Sequence, residues 1–391
     1  MMDRKFIPLS IPNFEGNEEK YLVDAIRSTY VSTVGSYVSE FEKAIASYLK
    51  AENVAVCQSG TSALHLSMIE AGVEQGDVVI VPPLTFIAAI NPVKYQKATP
   101  VFIDCDDSFC MDPIKLESFC KEMCSWDGQV LRHNGAVVRA IVVVHVFGNM
   151  ADMEAIMDIA EKYHFTVIED ATEALGTYYE QGRYAGKYAG TIGHFGCFSF
   201  NGNKIITTGG GGAVTATDPK AVDHMRYLST QAKDDPVYYI HHEIGYNYRM
   251  TNLQAALGMA QIEELPEFIR RKQKNYELYK ELFEGCEYGK VMPFRKGISS
   301  NQWFYSFEIN RSKIRASMKE IISALREKRI ETRAIWGLIN EQRPYENEET
   351  YYLEKAPYYA DRILNLPSST QITEKEIRYV ASELKQLLES L

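Results

Sequence analysis

Apolar and polar positions alternate along this chain in blocks whose period keeps changing. "NEEKYLVDAIRSTYV" and "SYVSEFEKAIASYLKA" repeat apolar residues every three or four positions, which predicts two amphipathic helices. "NVAVCQ" is a short β-rich run. It leads into "SGTSALHLSMIEAG", a helix with hydroxyl residues at its start and Gly72 at its end. "DVVIVPP" predicts a strand closed by prolines, "FIAAINPVKYQ" a helix and "TPVFIDCD" another strand. "VRAIVVVHVFG" is almost continuously apolar, as a strand covered on both faces must be. A helix, "MADMEAIMDIAEKYH", then precedes "FTVIEDA", a strand ending in acids. "GHFGCFSFN" and "GGGGAVTATD" predict two further strands. Such alternation implies an α/β chain with a doubly wound, mostly parallel sheet.

The pattern changes after "TNLQAALGMAQIEELPEFIRRKQKNYELYKELFEG", a long helical stretch that Pro266 is expected to interrupt. Strand "WFYSFEI", helix "SMKEIISALREK", strand "IETRAIW" and a final helix opened by a Thr373–Glu376 capping box follow. We therefore expect a large domain over residues 1–265, N-terminal arm included, and a smaller C-terminal α/β domain over 266–391. A length of 391 residues suits two domains, and 46% hydrophobic with 24% charged residues suits a folded, soluble chain. A net charge of −10 removes any general attraction for nucleic acid or anionic membrane. No apolar run approaches the ~18 residues of a membrane span, and the N-terminus lacks a signal-type apolar core. The seven cysteines include no C-x-x-C, so no metal site is expected and reduced thiols in the cytoplasm are the plain reading.

Four stretches carry candidate chemistry. In "SGTSAL" the N–H groups of Gly60, Thr61 and Ser62 open a helix directly after a strand, where a phosphate is favoured; an ordinary N-cap is the plain alternative. In "VIEDATEAL" Asp170 ends an apolar strand, where open α/β sheets gather ligand groups and a carboxylate can hold a ring nitrogen protonated; it could equally cap the next helix. In "SFNGNKIITTGGGG" Lys204 precedes four glycines, the reverse of a P-loop. A desolvated lysine amine is a nucleophile, and Ser199 on the same strand offers a phosphate contact. A surface lysine in a flexible loop fits the glycines but not the apolar strand before them. In "GYNYRMTNLQAALGMAQ" Asn247 and Arg249 precede a helix with small residues Ala255, Ala256, Gly258 and Ala260, which suits a subunit contact. A phosphate cup, an acid for a pyridinium and a covalent lysine together describe pyridoxal 5'-phosphate.

These stretches, with "FIPLSIPNFEGNEEKY", "LTFIAA", "TPVFIDCD", "EDATEALGTYY" and "ETRAIW", resemble the DegT/StrS family of pyridoxal phosphate-dependent sugar-nucleotide aminotransferases, of fold type I. The resemblance runs from about residue 6 to 265, and the nearest branch makes 4-amino-4,6-dideoxy sugars on UDP-N-acetylglucosamine derivatives for bacterial glycan and legionaminic-type pathways. It implies a large domain with a seven-stranded-type sheet and a covalent bond between Lys204 and the cofactor, with Lys204 then moving the proton. Asp170 is implied to face the pyridinium nitrogen, Phe86 to stack on the ring, and Thr61, Ser62 and Ser199 to hold the phosphate. Asn247 is implied to reach the phosphate of a neighbouring subunit, giving a homodimer with shared sites. Arg333 and Arg249 are candidate substrate contacts. Glu173 stands where many relatives have Gln or His, near the cofactor's phenolic oxygen, so it is either protonated or turned toward substrate.

The activity so implied is transfer of an amino group from L-glutamate to the C4 ketone of a nucleotide-linked 4-keto-6-deoxy sugar, UDP-linked by resemblance. Amination at C3 is the rival within enzymes, and a non-catalytic cofactor-binding regulator is the rival from another class.

Overall fold

Five successive residues of one strand, Ala140 to Val144, are at most 1% exposed. Successive strand side chains point to opposite faces, so both faces of the sheet are covered there. This computed structural model describes residues 5–391. Seven principal strands build the large sheet among the described residues: β1 (Val54–Cys57), β2 (Val78–Val81), β3 (Thr99–Ile103), β4 (Ala136–Val144), β5 (Thr166–Asp170), β6 (Phe195–Ser199) and β7 (Gly212–Ala216). Their order is β1-β7-β6-β5-β4-β2-β3, and only β7 runs against the rest. The reversal has a local cause. β6 and β7 are adjacent in sequence, and Ser199 pairs with Gly212 across the ladder. Residues 200–211 are thereby closed into a loop at the sheet's end, with Lys204 inside it.

The α/β class and mostly parallel sheet agree with the sequence pattern. The domain division differs from expectation in three ways. First, the helix Asn252–Leu282 passes through Pro266 without a break. Buried Leu265 and Phe268 flank the proline, and their packing outweighs one missing N–H bond. The boundary at 265 thus falls inside a continuous helix. Second, the N-terminal arm joins the C-terminal part: Ile7 exchanges backbone hydrogen bonds with Arg329 and Glu331, and the Ser368 N–H donates to the Leu9 carbonyl. Third, Thr350–Tyr351 adds a parallel strand beside β3, so part of the C-terminal half completes the large sheet. A second sheet, formed by Gly289–Val291, Tyr305–Ile309, Ile363–Leu366 and Arg333–Ala334, has its own apolar cluster with Phe307, Leu364 and Leu384. The last helix, Glu374–Ser390, carries the expected Thr373–Glu376 capping box.

The small residues of the long helix also face elsewhere than expected. Ala255, Ala256, Gly258 and Ala260 are buried within the subunit. A Cβ built on Gly258 would lie 2.5 Å from the ring of Phe41, itself fully buried. The helix Ser36–Leu49 can approach only because Gly258 has no side chain. Gly258→Ala should therefore destabilise the protein by about 1–3 kcal/mol, as overpacking does. The check is a lower denaturant midpoint at an unchanged slope. Unchanged stability would show that Phe41 has room to move.

Candidate active site

The carboxyl ends of the parallel strands open onto a cavity of about 240 Å³. It is lined by Gly60 and Thr61, by Thr85 and Phe86, by Asp170, Thr172 and Glu173, and by Ser199, Asn201 and Lys204. Each arrives by a local route. Asp170 is the last residue of β5 and Ser199 the last of β6. Pro82 and Pro83 end β2 and turn the chain, which leaves the Phe86 ring 56% exposed at the cavity wall. Gly60 begins the helix Gly60–Glu70, capped by Ser59, whose hydroxyl accepts from the Ser62 N–H. The Gly60 and Thr61 N–H groups have no intrahelical acceptor at this end. A Cβ on Gly60 would stand 2.8 Å from that of Ser199, so a glycine is required for the helix start to meet β6.

Lys204 is the cation of the cavity. Its side chain is 13% exposed, and its Nζ lies 3.7 Å from Glu173 Oε1. The opposite contact is the face of Trp303, 4.3 Å from Nζ to the ring centroid. Two carboxyl groups are buried nearby. Asp170 is 3% exposed and Glu173 is 4% exposed. Burial raises the Asp170 carboxyl above the usual range, against hydrogen bonds from Thr172 and the charge of Lys204. Burial also raises Glu173, to about 7, against the charge of Lys204 and the Phe147 N–H. That N–H donates to Glu173 Oε2 at 2.8 Å. Phe147 holds a left-handed backbone, φ 56°, unusual for an aromatic residue and maintained here by dense packing against Trp336 and Phe304.

The donor set fits pyridoxal phosphate. Asp170 Oδ1 takes the Thr172 N–H at 3.1 Å, and the buried carboxylate needs a cationic partner beyond Lys204 to offset its desolvation. Open helix N–H groups and the Ser199 hydroxyl suit a phosphate, and the Phe86 face suits a flat ring.

The expected residues divide. Gly60, Thr61, Phe86, Asp170, Glu173, Ser199 and Lys204 share the cavity. Ser62 lies beneath it, buried, its Oγ 2.8 Å from that of Ser59. Asn247 is exposed and away from this chain's cavity, and Arg333 is exposed on the second sheet. Arg249, expected near substrate, is instead tied to Glu42 at 2.5 Å and to the Val56 carbonyl at 3.3 Å. Its guanidinium satisfies a partly buried carboxylate behind β1, and this chain does not offer it to the cavity. Sequence reasoning missed Trp303 and Phe147. The strand expected over "WFYSFEI" begins only at Tyr305, and the segment before it packs behind the cavity, with Trp303 against Lys204 and Asn301 against the Glu173 carbonyl.

A model of the DegT/DnrJ/EryC1/StrS aminotransferase family matches residues 12–385. GDP-perosamine synthase of Caulobacter vibrioides is 34% identical, over 99% of this chain and 100% of that protein. A UDP-4-amino-4,6-dideoxy-N-acetyl-beta-L-altrosamine transaminase of Campylobacter jejuni is 29% identical, over 76% of this chain and 75% of that protein. Among solved structures, Helicobacter pylori PseC, an aminotransferase involved in pseudoaminic acid biosynthesis, superposes with TM-score 0.88 at 22% identity, over 99% of this chain and 100% of that one. The fold is that of the type I pyridoxal phosphate enzymes, and the chain belongs to the DegT/DnrJ/EryC1/StrS family of pyridoxal phosphate-dependent sugar aminotransferases.

Proposed function

We propose that this protein transfers the amino group of L-glutamate to the C4 ketone of a nucleotide-linked 4-keto-6-deoxy sugar, in the cytoplasm, for surface-glycan synthesis. The observation that carries the reading is one cavity holding Lys204, Asp170 and an open helix N-terminus, within this family. The C4 position is supported by the name of the Campylobacter relative. The nucleotide is guanosine or uridine diphosphate: the motifs resemble the UDP branch, while the full-length likeness to GDP-perosamine synthase supports GDP. Seven cysteines without a disulfide suit a reducing compartment.

Pyridoxal phosphate, when bound, supplies an electron sink for the carbon that loses its proton. The protein's own residues supply the rest. Lys204 is the residue that would hold the cofactor covalently and, once released, take and return the proton as general base and acid. Asp170 would face the ring nitrogen and favour its protonated form. Gly60 and Thr61 N–H groups with Ser199 would hold the phosphate, and Phe86 would cover a ring face. Glu173, with its proton on, can donate to an oxygen in the cavity instead of repelling it.

A panel of GDP-, UDP- and TDP-linked 4-keto-6-deoxy sugars with glutamate tests the reaction. An axial or equatorial amine at C4 on one nucleotide is the expected product by mass and NMR, with borohydride fixing the cofactor on the Lys204 peptide. Amination at C3, or label on another lysine, would sink this reading.

Glu173 yields a pH signature in the cofactor-free protein. Its folded pKa, about 7, exceeds the value of 4.5 for an unfolded glutamate. Folding therefore favours the protonated form, and stability falls as pH rises from 4.5 through 7. Glu173→Gln keeps an acceptor for the Phe147 N–H and never ionises. The variant should match wild type at pH 4.5 and exceed it at pH 8, by up to about 3 kcal/mol in denaturant titrations. A stability difference independent of pH would show that Glu173 does not titrate in this window.

We further propose a homodimer with shared sites. Asn247 faces solvent, and Val237, Tyr238, Tyr239 and Ile244 in the preceding segment are 65–86% exposed, an apolar surface in need of cover. Lys204→Ala and Asn247→Ala chains should each be poor, while reassorted mixtures should regain about a quarter of all sites in a two-fold dimer. Strict additivity, once subunit exchange is verified by mass, would mean that each subunit builds its site alone.

A further inference from the structure

A second lysine lies behind the Trp303 segment that touches Lys204. Lys272 belongs to the long helix Asn252–Leu282 and is 2% exposed. No carboxylate pairs with it among the described residues. Its Nζ donates instead to two main-chain carbonyls, Trp303 at 2.9 Å and Ser368 at 2.5 Å. A buried ammonium without a counter-ion is expensive, and burial lowers Lys272 to about 7. The amine keeps two N–H donors in either protonation state, which matches two acceptors. A methionine or leucine would fill the same space without desolvating a charge, so the donors themselves must matter.

What they hold is informative. The Trp303 carbonyl also takes the Ser368 hydroxyl at 3.0 Å, and the Trp303 Nε1 donates to the Asn203 carbonyl at 2.8 Å, next to Lys204. The Trp303 N–H donates to Asn301 Oδ1. Between Asn301 and Trp303 stands Gln302 with φ 52°, a left-handed non-glycine residue. Such a conformation persists only where its surroundings over-determine it. The wall that touches Lys204 is thus a strained segment pinned from behind.

We propose that Lys272 is a positioning residue of the active site: by holding the Trp303 and Ser368 carbonyls together, it fixes the indole face on which the Lys204 amine rests. The inference rests on the reading of Lys204 as the cofactor-bearing lysine. Loss of the pin lets Trp303 shift, and sub-ångström to ångström displacement of a catalytic group is enough to lower turnover.

The test uses the full-length enzyme with Lys272→Met, and Ser368→Ala as a milder variant that removes one donor to the same carbonyl. Two readouts apply. In the cofactor-free protein, 5-fluorotryptophan labelling gives three ¹⁹F resonances, one per tryptophan, with Trp303 assigned by Trp303→Leu. Lys272→Met should shift or broaden the Trp303 resonance and leave the other two in place. In the holoenzyme, kcat per borohydride-fixed Lys204 should fall about tenfold, with KM for both substrates within about twofold. Lys272→Met added to Trp303→Leu should cost nothing more, since both act through one contact. Unmoved Trp303 resonance, unchanged kcat, or additive losses overturn the proposal. Should Lys272→Met fail to fold, Ser368→Ala decides alone: a smaller loss, about two- to threefold, with a moved Trp303 resonance supports it, and wild-type behaviour overturns it. Borohydride label on another lysine is the failure of the Lys204 reading. Label on Lys204 with no effect of Lys272 is the failure of this inference.

Discussion

One ammonium shared between two buried carboxyl groups is the constraint around which the large domain is arranged. Asp170 ends β5 and Glu173 follows three residues later on the turn, and both are nearly excluded from water. Burial raises both carboxyls, and in each case the charge of Lys204 opposes the shift without cancelling it. The protein alone thus under-compensates its own acids. A cationic ring nitrogen at Asp170 would change the balance at once, because opposite charges attract far more strongly away from water. Under the proposed reading of Asp170, the burial of β5 would favour binding of such a group. The large sheet, with its fully covered central strands, makes that burial possible.

This explains which features were legible in the sequence. The strands were readable because a doubly covered sheet needs apolar runs such as "AIVVV". Asp170, Ser199 and Lys204 were readable because strand ends and the glycine-closed loop 200–211 are local in sequence. The loop even declares its shape, since Ser199 and Gly212 pair across it and a Cβ on Gly212 would meet the Ser59 backbone at 2.5 Å. Other features depend on contacts across a hundred residues or more, and no local pattern marks them. Lys272 sits within the charged run "RRKQK", yet folding of the C-terminal half buries it. "WF" opens the strand expected over "WFYSFEI", yet Trp303 and Phe304 precede it and Trp303 packs against Lys204. The small residues from Ala255 to Ala260 suit close packing, expected at a subunit contact, whereas Gly258 packs on Phe41 within the same subunit. Arg249 announced a charge but not its counter-ion, Glu42.

The helix is unbroken at Pro266 for a related reason. Proline and composition predict where a chain could break, but burial decides whether it does. Leu265 and Phe268 are anchored on either side of Pro266, so the helix persists and mechanically joins two halves of the molecule. At its N-terminal part it packs on the helices Glu18–Arg27 and Ser36–Leu49, and at its C-terminal part on the helix Glu374–Ser390. A rigid rod of this kind carries the position of one sheet to the other, and the arm at residues 7–13 reinforces it by hydrogen bonding to residues 329–331 and 368–370.

Glu173 is where the two halves meet chemically. Its carboxylate takes the N–H of Phe147 from the end of β4, while its own carbonyl takes the side chain of Asn301 from the C-terminal half, at 3.0 Å. Asn301 is fully buried and also holds Leu175, so it has no freedom to follow one partner and abandon the other. A displacement of the wall at 301–304 must therefore reach the turn that carries Glu173, and through it the acid nearest the Lys204 amine. Residues outside the cavity lining, among them Gln302 with its left-handed backbone, thus act on the same few ångströms as the strand-end residues. The cavity is lined from the sheet's half of the chain, while the C-terminal half braces Lys204 and the Glu173 turn from behind, so the placement of both depends on the two halves being in register.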